Sequence, residues 1–213
     1  MSDFIEQIAD TASSLDVWGI LGLIFGLLAV WFLIKENIWT WPSGIAYVLV
    51  SLVVFWKARL FGDLLLHILY LILNGYGWYY WRYGKNEDDD EELAVSTSSP
   101  KEMLLILIPT LVGVYVFGYL LEHLPDYISG LPPAALPYWD SVTSILSVTG
   151  IWLTAKKKIE SWYYWLVVDI LATGIYFYKA LYFYAVLYMV YIVLAVLGYL
   201  SWKKSLETQQ QAA

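Results

Sequence analysis

Seven separate runs of roughly 20 mostly apolar residues punctuate this chain, at 17–34, 38–56, 60–81, 103–121, 138–155, 161–178 and 181–202. A helix of about that length spans the hydrocarbon core of a bilayer. It is also the one open structure that satisfies its own backbone there. The runs therefore predict an all-α integral membrane protein with seven transmembrane helices.

Composition narrows the class further. Of 213 residues, 60% are hydrophobic and 15% are charged, which is far too apolar for an ordinary soluble domain. The 12 Trp and 19 Tyr suit a membrane protein, whose interfaces collect both residues. A net charge of −7 argues against nucleic acid as a partner. The absence of cysteine excludes disulfides, thiolate metal sites and cysteine nucleophiles. Residues 1–16 hold no Lys or Arg and do not resemble a cleavable leader, so they are expected to form an extracytoplasmic N-terminal segment.

Seven spans put the two termini on opposite sides. Lys35, Arg82, Lys85, Lys101, Lys156, Lys157, Lys158, Lys203 and Lys204 share one side, and only Lys57, Arg59 and Lys179 share the other. The positive-inside rule makes the richer side cytoplasmic, with the N-terminus outside and the tail 203–213 inside. The segment 82–102, acidic and then rich in Ser and Thr, reads as a solvated cytoplasmic linker.

The spans fall into a 3+1+3 order: a bundle at 17–81, a connector at 103–121 and a second bundle at 138–202. Phe55-Trp56-Lys57-Ala58 and Phe177-Tyr178-Lys179-Ala180 occupy matching junctions of the two bundles. A single connecting span leaves both bundles in the same sense, so this is a parallel repeat, with a substrate site expected between the halves.

Ionisable residues at membrane depth are candidate functional groups. Asp169 sits mid-span, with Trp165 four residues and Trp162 seven residues before it on one helical face. A carboxylate beside two indoles suits a flat organic cation. The competing reading is a structural carboxylate bonded to a neighbouring helix. Asp63, His67, Tyr70, Asn74 and Trp78 form a second stripe. In it, Asn74 could read an amide or hydroxyl, and His67 could contact ligand or a neighbouring helix. Asp140, Thr143, Ser144 and Ser147 make a small polar face at the fifth span, suited to close packing or to a hydrated path. Trp18, Trp31, Trp56, Trp81, Trp152 and Trp202 lie near span ends and read as interface anchors.

No cofactor is expected, and the chain lacks a nucleotide-binding glycine loop and a His-Glu-x-x-His zinc motif. A retinal protein would need a lysine inside the last span, and there is none. An enzyme would need a catalytic constellation, and the histidines are only His67 and His123.

Three motifs carry a resemblance. They are Asn74-x-Tyr76-Gly77-Trp78-Tyr79-x-Trp81, Tyr138-Trp139-Asp140-Ser141 and Trp162-x-x-Trp165-x-x-x-Asp169. Together they resemble the PnuC family of vitamin transporters over nearly all of the membrane portion. The resemblance implies a SWEET-like arrangement of the 3+1+3 spans in the bacterial plasma membrane. It implies facilitated uptake of a cationic vitamin, by family default nicotinamide riboside, with trapping by a cytoplasmic kinase. A homotrimer is implied as well. Carried over by position, Asn74, Trp78, Trp162, Trp165 and Asp169 would contribute to the vitamin site, with His67 and Asp140 beside them. This chain departs from some nicotinamide riboside transporters at His67 (Gln there), Asp169 (Asn) and Lys179 (Gln). Related PnuT-like proteins carry thiamine, and others are linked to riboflavin.

Overall fold

The computed structural model describes residues 2–58, 61–84, 93–127 and 133–212. Among the described residues the chain forms eight helices and no strand: α1 (Ser2–Ser14), α2 (Val17–Ile34), α3 (Thr40–Ala58), α4 (Phe61–Tyr83), α5 (Pro100–Tyr127), α6 (Pro137–Ala155), α7 (Ser161–Tyr178) and α8 (Tyr182–Ala212). The seven apolar runs become α2 to α8. Two helices outgrow their apolar stretch because polar residues extend them. Ser99 and Glu102 bond each other's backbone N–H groups at the start of α5, a reciprocal cap (2.6 and 3.2 Å). In α8, Lys203 pairs with Glu207 one turn on at 3.9 Å. The N-terminal segment is itself a helix, α1, packed on α8 with Phe4 against Tyr182 (centroids 5.0 Å apart).

Among the described residues four helices, α2, α3, α5 and α8, are by length and composition apolar enough to cross a membrane, where seven spans are expected from the sequence. The other three, α4, α6 and α7, are diluted by polar side chains. They are also the helices on which every candidate site residue lies.

In the packing, α3 lies against α2 and α4, and α7 lies against α6 and α8. The two sets meet through α4 with α6 and through α2 with α8, while α5 packs on α6. Much of the remaining surface is bare apolar side chain: Leu105, Ile108, Leu111, Val112 and Tyr115 of α5 are each more than half exposed, as hydrocarbon contact demands.

The buried core is concentrated at one end. Leu33, Ile34, Val95, Ile159, Trp162, Ala195 and Trp202 form one cluster, and Trp41, Ile151 and Ala155 form another. Between them four tryptophans are laid out in pairs. Trp41 meets Trp81 edge-on (5.4 Å, 87°), and Trp162 meets Trp202 in the same way (5.6 Å, 89°). Trp81 and Trp202 approach each other at 6.3 Å. The Trp81 indole N–H donates to the Thr154 carbonyl (3.1 Å), and the Trp202 indole N–H donates to the Leu33 carbonyl (3.0 Å). Each half thus ties its last helix to the other half's turn. Those turns carry matching left-handed residues, Glu36 (φ 52°) and Lys157 (φ 49°), which form an ion pair with each other at 3.4 Å across 121 positions of chain. The same register relates Trp41 to Trp162 and Trp81 to Trp202.

Two expectations change here. Trp202 is fully buried and Trp81 half-buried, so neither is an interface anchor; an indole N–H inside a bundle is satisfied by a free carbonyl at a helix end. Trp31 and Trp56, in contrast, are more than half exposed. The linker 82–102 is not solvated throughout. Residues 93–99 dock on the α6–α7 turn, and Val95 is buried in the tryptophan cluster at 3% exposure. The acidic run 87–92, with Lys85 and Arg59, lies outside the described residues.

Candidate functional site

Asp169 lies in the middle of α7, 7% exposed. Its carbonyl takes the Thr173 hydroxyl at 2.7 Å, but among the described residues its carboxylate makes no hydrogen bond or ion pair. Around it stands a set of tyrosines. Tyr188 and Tyr191 of α8 are within electrostatic reach of Asp169 and of Tyr47 on α3. Tyr176 of α7 packs on Tyr184 (5.5 Å) and Tyr188 (5.2 Å), and Tyr188 meets Tyr191 edge-on at 5.6 Å. The Tyr191 hydroxyl rests against Gly26 of α2, where a methyl group would sit 2.9 Å from it.

His67 joins the same region from α4. It is 7% exposed and faces Phe55 (4.6 Å), Tyr70 (5.2 Å) and Tyr47 (6.3 Å). Tyr47 is ringed by His67, Ser51 and the α8 tyrosines, yet it keeps 36% of its surface accessible. The region thus draws on α2, α3, α4, α7 and α8, from both three-helix sets.

The other expected residues spread more widely. Trp165 leans on α6, its indole N–H donating to the Thr154 hydroxyl at 3.1 Å with its ring over Gly150. Trp162 is 2% exposed in the tryptophan cluster, its ring wedged against Gly198. Seven residues separate it from Asp169, which is about 10 Å along the helix axis. Trp162 and Asp169 therefore share a face but sit at different depths.

Asn74 is turned to α3. Its amide donates to the Tyr70 carbonyl at 2.8 Å, and its oxygen lies at Gly44. Trp78 is 45% exposed and lines an outer groove with Trp39, Pro42, Tyr79, Arg82 and Tyr83. Among the described residues, helix α4 makes no close backbone approach to α7, so the structure does not bring Trp78 to Asp169. Asp140 is half-buried in the first turn of α6. Beside it Ser141, fully buried, donates to the Val114 carbonyl of α5 (2.6 Å), while Thr143 and Ser147 bond carbonyls of their own helix. The side chain of Asp63 lies outside the described residues.

Sequence reasoning missed Tyr47, Tyr188 and Tyr191, whereas Tyr176, with Thr173, extends the stripe of Trp162, Trp165 and Asp169 on α7. A signal existed on α8, where Tyr184, Tyr188 and Tyr191 recur at four and three residues and so mark one helical face.

This arrangement sets a buried, unpaired carboxylate within electrostatic reach of Tyr188 and Tyr191, a combination suited to a cation. Among the described residues no group of His, Asp or Glu is placed to hold a metal ion.

Known proteins agree with a transport role. The nicotinamide riboside transporter PnuC of Escherichia coli K12 is 26% identical over 203 residues, covering 87% of this chain and 84% of its own length. The PnuC of Neisseria mucosa is 27% identical over 192 residues, covering 85% and 70%. The riboflavin/roseoflavin transporter RibM of Streptomyces davaonensis is 23% identical over 187 residues, covering 87% and 84%. The crystal structure of the vitamin B3 transporter PnuC superposes with a TM-score of 0.69 at 24% identity, covering 96% of this chain and 88% of that one. Residues 16–204 match the nicotinamide mononucleotide transporter family, and the chain belongs to that family of multi-pass membrane transporters.

Proposed function

We propose that this protein carries nicotinamide riboside into the cell by facilitated diffusion. All seven helices α2 to α8 cross the membrane in this reading. Helices α2–α4 and α6–α8 form two parallel triplets joined by α5, with the N-terminus outside. The reciprocal Trp81 and Trp202 bonds and the paired turns at Glu36 and Lys157 support a repeat of this kind. The tryptophan end, flanked by Lys35, Arg82 and Lys156–Lys158, is then the cytoplasmic end.

The observation that carries the reading is Asp169. A carboxylate withdrawn from water with no partner of its own is costly unless something cationic completes it. The pyridinium ring of nicotinamide riboside is a flat cation, and Tyr47, Tyr188 and Tyr191 offer it aromatic faces. In this reading the ring stacks on the accessible third of Tyr47. Trp165 borders the site from the α6 side, and His67 lies at its far edge. Rocking of one triplet against the other would expose the site to each side in turn. An inside-negative potential favours entry of a monovalent cation by ~2.3 kcal/mol per 100 mV. Phosphorylation by a cytoplasmic kinase would keep the free vitamin low, and the resemblance to PnuC proteins suggests assembly as a trimer.

A second reading, riboflavin, is favoured by the similarity to RibM, and thiamine, another aromatic cation, remains the alternative on charge. Calorimetric titration of the purified protein with all three separates them. Nicotinamide riboside is expected to bind at least tenfold more tightly than thiamine, with neutral riboflavin weakest. Riboflavin binding as tightly as either cation would overturn the charge-based assignment.

A further inference from the structure

We infer that residues 93–99 are a strap that closes the tryptophan end of the bundle and must lift for substrate to leave there. The inference rests on the transport reading above.

The strap is fastened to one turn, that between α6 and α7. Its Ser96 N–H donates to the Lys157 carbonyl and its Ser96 carbonyl accepts from Ile159 N–H, both at 3.0 Å, an isolated parallel bridge between Ser96 and Lys158. Glu160, 7% exposed, takes the Ser98 N–H (2.7 Å) and the Ser98 hydroxyl (3.3 Å). The Lys158 ammonium donates to the Thr97 carbonyl at 3.1 Å. Val95 is driven into the cluster of Leu33, Ile34, Trp162 and Trp202, where the two triplets meet.

The internal repeat makes the strap informative. In the register that pairs Glu36 with Lys157, Trp39 stands where Glu160 stands in the other half. Trp39 is 60% exposed and Glu160 is covered. The α2–α3 turn keeps its shape without a strap, so the fold does not require one over its counterpart. The strap precedes α5 and binds the second triplet, while Val95 shares its buried cluster with Leu33 and Ile34 of α2 in the first. A rocking motion between the triplets therefore pulls directly on it. Its hold is a few hydrogen bonds and one small apolar side chain, with no helix of its own, as a releasable closure needs.

The chain has no cysteine, so single cysteines report cleanly. Ser161, next in the chain to the Glu160 that holds the strap, is fully buried, and its hydroxyl has no partner among the described residues. Purified Ser161→Cys in detergent, treated with a bulky polar maleimide, is expected to react slowly. Adding Glu160→Gln, which removes the charge that holds Ser98, should raise that rate about tenfold. An exposed control away from the strap, Ser13→Cys on α1, should react equally in both backgrounds. Equal rates at Ser161→Cys with and without Glu160→Gln would overturn the strap as a cover. A second variant, Ser96→Cys with Lys158→Cys, tests the exit step in proteoliposomes. Cross-linking the pair should cut nicotinamide riboside flux at least tenfold, and reductant should restore it; undiminished flux at full cross-linking would also sink the proposal. If the reduced pair and the unmodified protein both fail to move nicotinamide riboside, the substrate assignment falls while the labelling contrast still decides the strap.

Discussion

Asp169→Asn should weaken binding of nicotinamide riboside at least 30-fold and, at the same time, raise the melting temperature of the ligand-free protein. The two effects have one cause. Among the described residues the buried Asp169 carboxyl group has no hydrogen-bond or ionic partner, so the empty protein carries the desolvation cost of an unpaired acid. An amide of the same shape removes that cost. One kcal/mol moves the melting temperature of a chain this long by about 2–4 °C, and a rise of that order is expected. The bound cation, in contrast, loses its counter-charge. Removing one partner of a buried charge pair costs about 2–5 kcal/mol, which is 30-fold or more in affinity. Titration calorimetry and a thermal melt of the same two preparations decide the matter. Unchanged affinity together with a lower melting temperature would make Asp169 a structural carboxylate and end the counter-ion argument.

Hydropathy made most of the fold legible, because a span long enough for a bilayer leaves a run that no local preference can hide. Helices α2 and α7 begin and end where their runs do. Helix α1 was not foreseen, although Phe4, Ile5, Ile8, Ala9 and Ala12 recur at helical spacing; its 13 residues are too short to span a bilayer, so a reading by apolar runs passes over an amphipathic helix that docks on α8. The site was half legible. The rarity of a carboxylate at depth singled out Asp169 correctly as a buried group, but a shared helical face is not a shared depth, and Trp162 belongs to the closure about two turns away. The stripe ending at Trp78 divides for a related reason. His67 and Trp78 keep one face of α4, about 20° apart after three turns, but His67 is buried while Trp78 lies in an outer groove beside Trp39 and Arg82. The tyrosine set was masked by abundance: with 19 tyrosines, no single one stands out. Val95 was masked by context, a lone branched residue ahead of a Ser/Thr run, and only the cluster it enters gives it meaning.

The largest stability effect is expected at Gly198. Its Cα faces the six-membered ring of Trp162 so closely that a methyl group there would overlap the ring. Trp162 cannot yield, since it is held edge-on by Trp202 and buried on all sides. Gly198→Ala should therefore destabilise the protein by about 1–3 kcal/mol, despite the better helix propensity of alanine. The melting temperature should fall by several degrees. Gly77 meets the Trp41 ring in the same way on α4, and Gly77→Ala should behave alike if the two halves are true counterparts. Gly174 and Gly75 supply the control. Both are helical, and a methyl group at either would meet nothing within 4 Å, so alanine there should be neutral or stabilise by up to about 1 kcal/mol. Melting curves of the four variants place the effect. A Gly198→Ala protein as stable as Gly174→Ala would mean that Trp162 has room to move, and the tryptophan end would then be too loose to act as a closure between two rocking triplets.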